Sequence, residues 1–205
     1  MKYLIFLVMP FLVLACGESN KPKPAATTAE GDIDPFDPAN YTLEPVPGSD
    51  IQLAIKRSEE GELREMGHTI NGKRTGTWTL YANDTIRPRK IVNYIDGKKN
   101  GLYTEMSEAG YIDIITYFKD NKLDGSWAKY RFGRPVQTAE YKNGELHGAQ
   151  REFRLNDGKI TKEAHFKNGK LDGPFRHFNE KGEVTLQYEY KDGVKVGEGV
   201  VHPEE

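Results

Sequence analysis

From Ile51 onward apolar and polar residues alternate in short stretches, beginning with Ile51, Leu53 and Ile55. A period of two puts successive side chains on opposite faces of a β-strand. A recurring phrase punctuates the alternation: INGKRTG (70–76), IDGKKNG (95–101), KDNKLDG (119–125), KNGELHG (142–148), KNGKLDG (167–173) and KDGVKVG (191–197). A phrase that returns about every two dozen residues signals a repeat architecture.

Aligned on the last glycine of each copy, Gly76, Gly101, Gly125, Gly148, Gly173 and Gly197 define the unit. Seven residues earlier stand Thr69, Tyr94, Phe118, Tyr141, Phe166 and Tyr190; five residues later stand Tyr81, Met106, Tyr130, Phe153, Phe178 and His202. The first set precedes the second by twelve residues in every copy, whereas the return takes 11, 12 or 13. One end of the unit is therefore rigid and the other adjustable. Asn-Gly or Asp-Gly between alternating segments predicts a two-residue type I′ hairpin at the rigid end, with longer loops at the other. At Asn143-Gly144 this register sets Lys142 opposite Glu145, Tyr141 opposite Leu146, Glu140 opposite His147 and Ala139 opposite Gly148. One face then carries rings beside small residues, and the next copy repeats it with Phe166, Leu171, Ala164 and Gly173.

The predicted fold is all-β: an elongated, single-layer antiparallel meander of about six two-stranded repeats, roughly a dozen strands, spanning residues 50–205. Each repeat touches mainly its neighbours, and the atypical Thr69 and His202 mark the end copies as caps. The composition agrees, because 37% hydrophobic residues and 21 glycines leave little for one thick core.

The pattern G-x-W-x-x-Y, in Gly76-Thr77-Trp78-Thr79-Leu80-Tyr81 and Gly125-Ser126-Trp127-Ala128-Lys129-Tyr130, is followed by Y-x-N-G. Over residues 50–200 it resembles the MORN-repeat variant of bacterial proteins, including those labelled YwqK-type antitoxins. An exported chain would sit in the wrong compartment to neutralise a cytoplasmic toxin.

Residues 1–15 read as an export signal: Lys2, then an apolar run from Tyr3 to Leu14 that is too short for a spanning helix. Val13-Leu14-Ala15-Cys16 resembles a lipoprotein lipobox, and Cys16 is the only cysteine. Cys16 is thus the expected lipidation site, with acyl chains anchoring the protein at about 0.8 kcal/mol per buried CH₂. Residues 16–49, with Pro22, Pro24, Pro35, Pro38, Pro45 and Pro47 among Ala, Thr, Asp and Glu, read as a disordered linker. The expected location is a bacterial cell envelope, outside the cytoplasm.

A net charge of −2 without a basic block argues against a nucleic-acid partner. On the polar face, Asp124, Glu140, His147, His165, Asp172 and Glu189 fall in one row about 4.8 Å apart. Imidazoles among carboxylates can ligate a divalent ion. Solvated positions one pair from a turn carry opposite-charge pairs for other reasons. No metal and no cofactor are therefore expected, with His147, His165 and Asp172 the residues that would hold a metal. No nucleophile elbow, phosphate loop or zinc-protease helix is present, so the chain reads as non-enzymatic. Trp78, Tyr103 and Trp127, each two residues past a repeat glycine, would form a ladder, and an exposed apolar ladder is an interaction site. The expected function is protein binding or scaffolding, with glycan or lipid binding through that ladder as the alternative. Whether the long sheet edges pair two copies is open at this point.

Overall fold

The computed structural model describes residues 36–83 and 87–201; the signal run, Cys16 and His202 lie outside the described residues. A 3-10 turn at Pro38–Asn40 leads into β1 (Thr42–Pro45), β2 (Ile51–Arg57), β3 (Leu63–Ile70), β4 (Lys73–Tyr81) and β5 (Pro88–Ile95). There follow β6 (Lys98–Met106), β7 (Ile112–Lys119), β8 (Lys122–Arg131), β9 (Arg134–Lys142), β10 (Glu145–Leu146) and β11 (Gly148–Phe153). The chain closes with β12 (Ile160–Lys167), β13 (Lys170–Phe178), β14 (Val184–Lys191) and β15 (Val194–Val201). All 15 strands form one open antiparallel sheet in sequence order, with the short β10 paired to β9. The fold is thus the all-β, single-layer meander that the repeat phrase predicts.

The ordered part starts earlier than the alternation suggests. Residues 36–45, inside the stretch expected to be linker, supply the 3-10 turn and β1, which pairs with β2 from Thr42↔Ile55 to Pro45↔Gln52. Proline content hid three apolar residues, Phe36, Tyr41 and Leu43, that pack against the core.

Each short hairpin turns on two residues of positive φ, as at Asn143 (53°) and Gly144 (90°). The third copy manages this without glycine, with Asp120 at 49° and Asn121 at 67°. Both side chains tolerate the left-handed region better than most.

The register near each turn is as predicted, with Lys142↔Glu145 and Tyr141↔Leu146. Beyond it lies a correction. Phe118 pairs with Leu123, but the next pair on that face is Thr116↔Trp127, so one residue of β7 spans three of β8. The same slip of two recurs at Phe166↔Leu171 and Ala164↔Phe175. Ala164 therefore faces Phe175 and not Gly173. The repeat glycine is the bulge residue, with φ of 112° at Gly125 and 114° at Gly173. A bulge needs such a conformation, and it bends its strand. The glycine meets its ring on the other side: Gly76↔Tyr94, Gly101↔Phe118, Gly125↔Tyr141, Gly148↔Phe166 and Gly173↔Tyr190. The residue opposite the glycine is thus a ring of the following repeat, but the ring does not cover it: a β-carbon at Gly101, Gly148 or Gly173 would meet Asn93, Glu140 or His165 instead.

Consecutive repeats are also locked turn to turn. The N–H groups of Gly97, Gly144, Gly169 and Gly193 donate to the carbonyls of Arg74, Leu123, Leu146 and Leu171, at 2.8–2.9 Å. Asn121 N–H does the same to Lys99 O at 3.0 Å. In each case the acceptor lies two residues before the previous repeat glycine.

Candidate interaction surfaces

The register brings Trp78, Val92, Tyr103, Thr116, Trp127 and Ala139 into one row across β4 to β9. Gln150, Ala164, Phe175 and Tyr188 continue it across β11 to β14. Large residues two past the repeat glycine alternate with small ones, so rings lie over their neighbours. Trp78 lies flat on Gly67, where a β-carbon would overlap the indole. The ladder expected as a surface is consequently inside the protein: Trp78, Tyr103 and Trp127 are 0%, 3% and 3% exposed. A second buried row, Tyr94, Phe118, Leu123, Tyr141, Leu146 and Phe166, covers their sides.

The N-terminal end of this core is closed by a cage that sequence reasoning missed. Phe36 and Tyr41 stand edge-on to Trp78 at 5.6 and 5.8 Å between ring centres. Arg74 lies among the rings, 4.6 Å from Trp78 and 5.4 Å from Tyr94. Its guanidinium donates to Glu65 Oε1 at 2.7 Å and to Tyr41 Oη at 3.0 Å, while Tyr41 donates to Glu65 Oε2 at 2.7 Å. Burial, and then the hydrogen bond to Glu65, hold the Tyr41 phenol well above its ordinary pKa. The signal was a pair of opposite charge, Glu65 and Arg74, at positions where the third copy has the apolar Ile114 and Leu123.

The histidines and carboxylates are occupied separately. Asp124 accepts from Asn143 N–H at 3.0 Å, and Asp172 accepts from Asp192 N–H at 3.2 Å and binds Lys191. His147 Nδ1 lies 3.2 Å from Asn168 Oδ1, and His165 Nε2 3.5 Å from Glu163 Oε1. Among the described residues no group of three or more His, Cys, Asp or Glu is arranged to hold a metal ion. Nor is any helix among them long and apolar enough to cross a membrane.

The opposite face divides in two. Its central row reads Ile55, Met66, Thr79, Ile91, Thr104, Ile115, Ala128 and Thr138, uncharged across β2 to β9. It then becomes Arg151, Glu163, Arg176 and Gln187. Glu163 accepts from Arg151 Nε at 2.7 Å and from an Arg176 guanidinium nitrogen at 3.1 Å. Burial raises the Glu163 pKa, but Arg151 and then His165 lower it further, so its carboxyl sits below the usual range. In the uncharged half, the cross-strand pair Leu102↔Tyr117 leaves both side chains exposed on this face.

Exposed apolar groups gather at the adjoining long-loop rim, where Tyr111, Ile112 and Phe132 are solvent-facing. Phe132 is the unusual one. It occupies the first turn position of the β8–β9 hairpin at φ 51°, where the other two-residue turns use Asn or Asp. It is 72% exposed and meets the Arg131 guanidinium at 5.5 Å. Arg134, across the turn, is tied to the carbonyls of Leu155 and Asn156 at 3.1 and 2.7 Å, which fixes the tip against the next loop.

Comparison with protein families and with curated proteins gives no match. Among solved structures, the crystal structure of TarM aligns at 12% identity and TM-score 0.29, over 63% of this chain and 21% of that one. A mutant of S. aureus TarM in complex with fondaparinux, α-GlcNAc-glycerol and UDP aligns at 11% identity and TM-score 0.24, over 76% and 21%. The chain thus spans about a fifth of these proteins, at a similarity too low to carry structural or functional weight.

Proposed function

We propose that this protein is a non-catalytic scaffold of the bacterial cell envelope, lipid-anchored through Cys16, that binds another protein with the outer side of β6–β9 and its rim. The Lys2 to Cys16 run supports the anchor, and the MORN-like repeat supports a role in binding. The observation that carries the binding surface is Phe132. A bulky residue in the left-handed region costs about 1–2 kcal/mol relative to ordinary backbone. The hairpins elsewhere avoid that cost with Asn or Asp, and Phe132 gains no burial in return. A residue that the fold does not require, stacked beside Arg131 on a turn that Arg134 fixes against the next loop, is suited to fill a partner's pocket. Aromatic and arginine side chains are the groups that dominate protein interfaces.

The test is photo-crosslinking from position 132 in the native envelope, set beside the affinity of the captured partner for Phe132→Asn. Binding should weaken by more than tenfold while thermal stability is unchanged or slightly higher. A variant that binds normally, or that loses stability, makes Phe132 a structural residue and removes this reading.

A further inference from the structure

We propose that two copies of this chain pair edge to edge through β15, antiparallel about a two-fold axis. Among the described residues β15 is the last strand of the sheet and is bonded to β14 alone, leaving a row of its peptide groups without a neighbouring strand. Val194, Val196, Val200 and Val201 on it are 66%, 42%, 51% and 67% exposed. Four of the ten exposed large hydrophobics among the described residues thus lie on this single strand. An edge of alternating donors and acceptors is complemented by another β-strand, which makes the occupant a strand.

The rest of the molecule points to which strand. Its other edge, β1, has only four residues, ends in Pro45 and is followed by Pro47. Proline lacks the N–H that pairing requires, so head-to-tail joining of β15 to β1 is blocked. Like-with-like pairing of β15 remains, and it closes at two copies instead of growing a filament. The new contact continues the antiparallel strand-to-strand interface that joins every repeat to the next. A two-fold perpendicular to the sheet sets residues of equal parity opposite one another. Centred on the bulge at Gly197, it places Val194 against the second copy's Val200 twice over, with the ladder running on either side of the bulge.

The full chain carrying Cys16→Ser, which removes the only native thiol, is followed by analytical ultracentrifugation. The expected result is a concentration-dependent dimer, abolished by Val196→Lys with Val200→Lys while the melting temperature is retained. In the same background, oxidation of the Val194→Cys, Val200→Cys double variant should give a disulfide-linked dimer. The two positions lie opposite Lys191 and Gln187, four residues apart on β14, and so roughly 13 Å from each other, which prevents a bond within one chain. A monomer up to about 1 mM, a species larger than a dimer, or equal crosslinking from Glu44→Cys on the opposite edge would overturn the proposal.

Discussion

The two ends of the sheet are built from the same parts and finished differently. At the N-terminal end the Trp78 ring lies over Gly67; at the C-terminal end the Tyr188 ring lies over Gly199. Each end also has a cation on a ring, two residues before a repeat glycine: Arg74 on Trp78 at 4.6 Å, and Lys195 on Tyr188 at 3.8 Å. Between them that position holds Lys99, Leu123, Leu146 and Leu171. A cation over a ring thus stands at both ends, and the second copy repeats it with Lys99 over Phe118 at 5.4 Å. The difference lies in the cover. Residues 36–45 fold over Arg74, leaving its side chain 4% exposed and making Glu65 its necessary counter-ion. Lys195 stays in solvent with no such strap among the described residues. A buried charge needs a partner, whereas an exposed one needs only water.

The largest expected effect is at the cage. Arg74→Ala leaves Glu65 buried without its counter-ion, held only by the Tyr41 hydroxyl, and should cost about 3–5 kcal/mol in urea unfolding. Lys195→Ala, the same position at the open end, should cost no more than about 1 kcal/mol. Equal losses would show that the strap does not distinguish the ends. Next come the glycines. Gly67→Ala drives a methyl group into an indole pinned by Phe36, Tyr41 and Arg74, and should cost about 1–3 kcal/mol. At Gly199→Ala the half-buried Tyr188 can swing aside, so its melting temperature should fall less. The smallest effect is alkaline. The Tyr41 pKa is raised in the folded protein, so the stability it contributes is present below the unfolded phenol's value near 10 and lost as pH rises through the folded one. Stability above about pH 10 should decline less in Tyr41→Phe than in the wild type. Unfolding curves at pH 8 and pH 11 would check this, and identical declines would exclude Tyr41 as the source.

The hairpins were legible because Asn-Gly and Asp-Gly act locally, requiring positive φ wherever they stand. The repeat glycines were seen but misread. A glycine can be selected for lack of volume or for its φ, and spacing alone does not separate the two. Here the φ of the bulge applies at every copy, and what crowding there is comes from the preceding strand, as with Glu140 at Gly148 and His165 at Gly173. The burial of Trp78, Tyr103 and Trp127 depended on which strand supplies each neighbour, which the two-residue slip changes. The strap was hidden by its prolines. At Phe132 the expectation failed in a different way, since a longer loop was expected at that end of the unit and a two-residue turn stands there, with Phe in place of Asn or Asp. Among the charged residues, the row imagined for a metal dissolved into contacts with the following turns, which only the bulged register reveals.

In the bond between repeats, the carbonyl always belongs to the earlier unit and the N–H to the later one. A growing polypeptide therefore completes each acceptor before the hairpin that will use it has been synthesised. Assembly can proceed vectorially, every unit serving as the template for its successor without waiting for the C-terminus. The same asymmetry makes length a free variable. Duplication of one block of about two dozen residues carries its own turn, bulge and lock, so an array of this kind can gain or lose whole units while those upstream stay as they were.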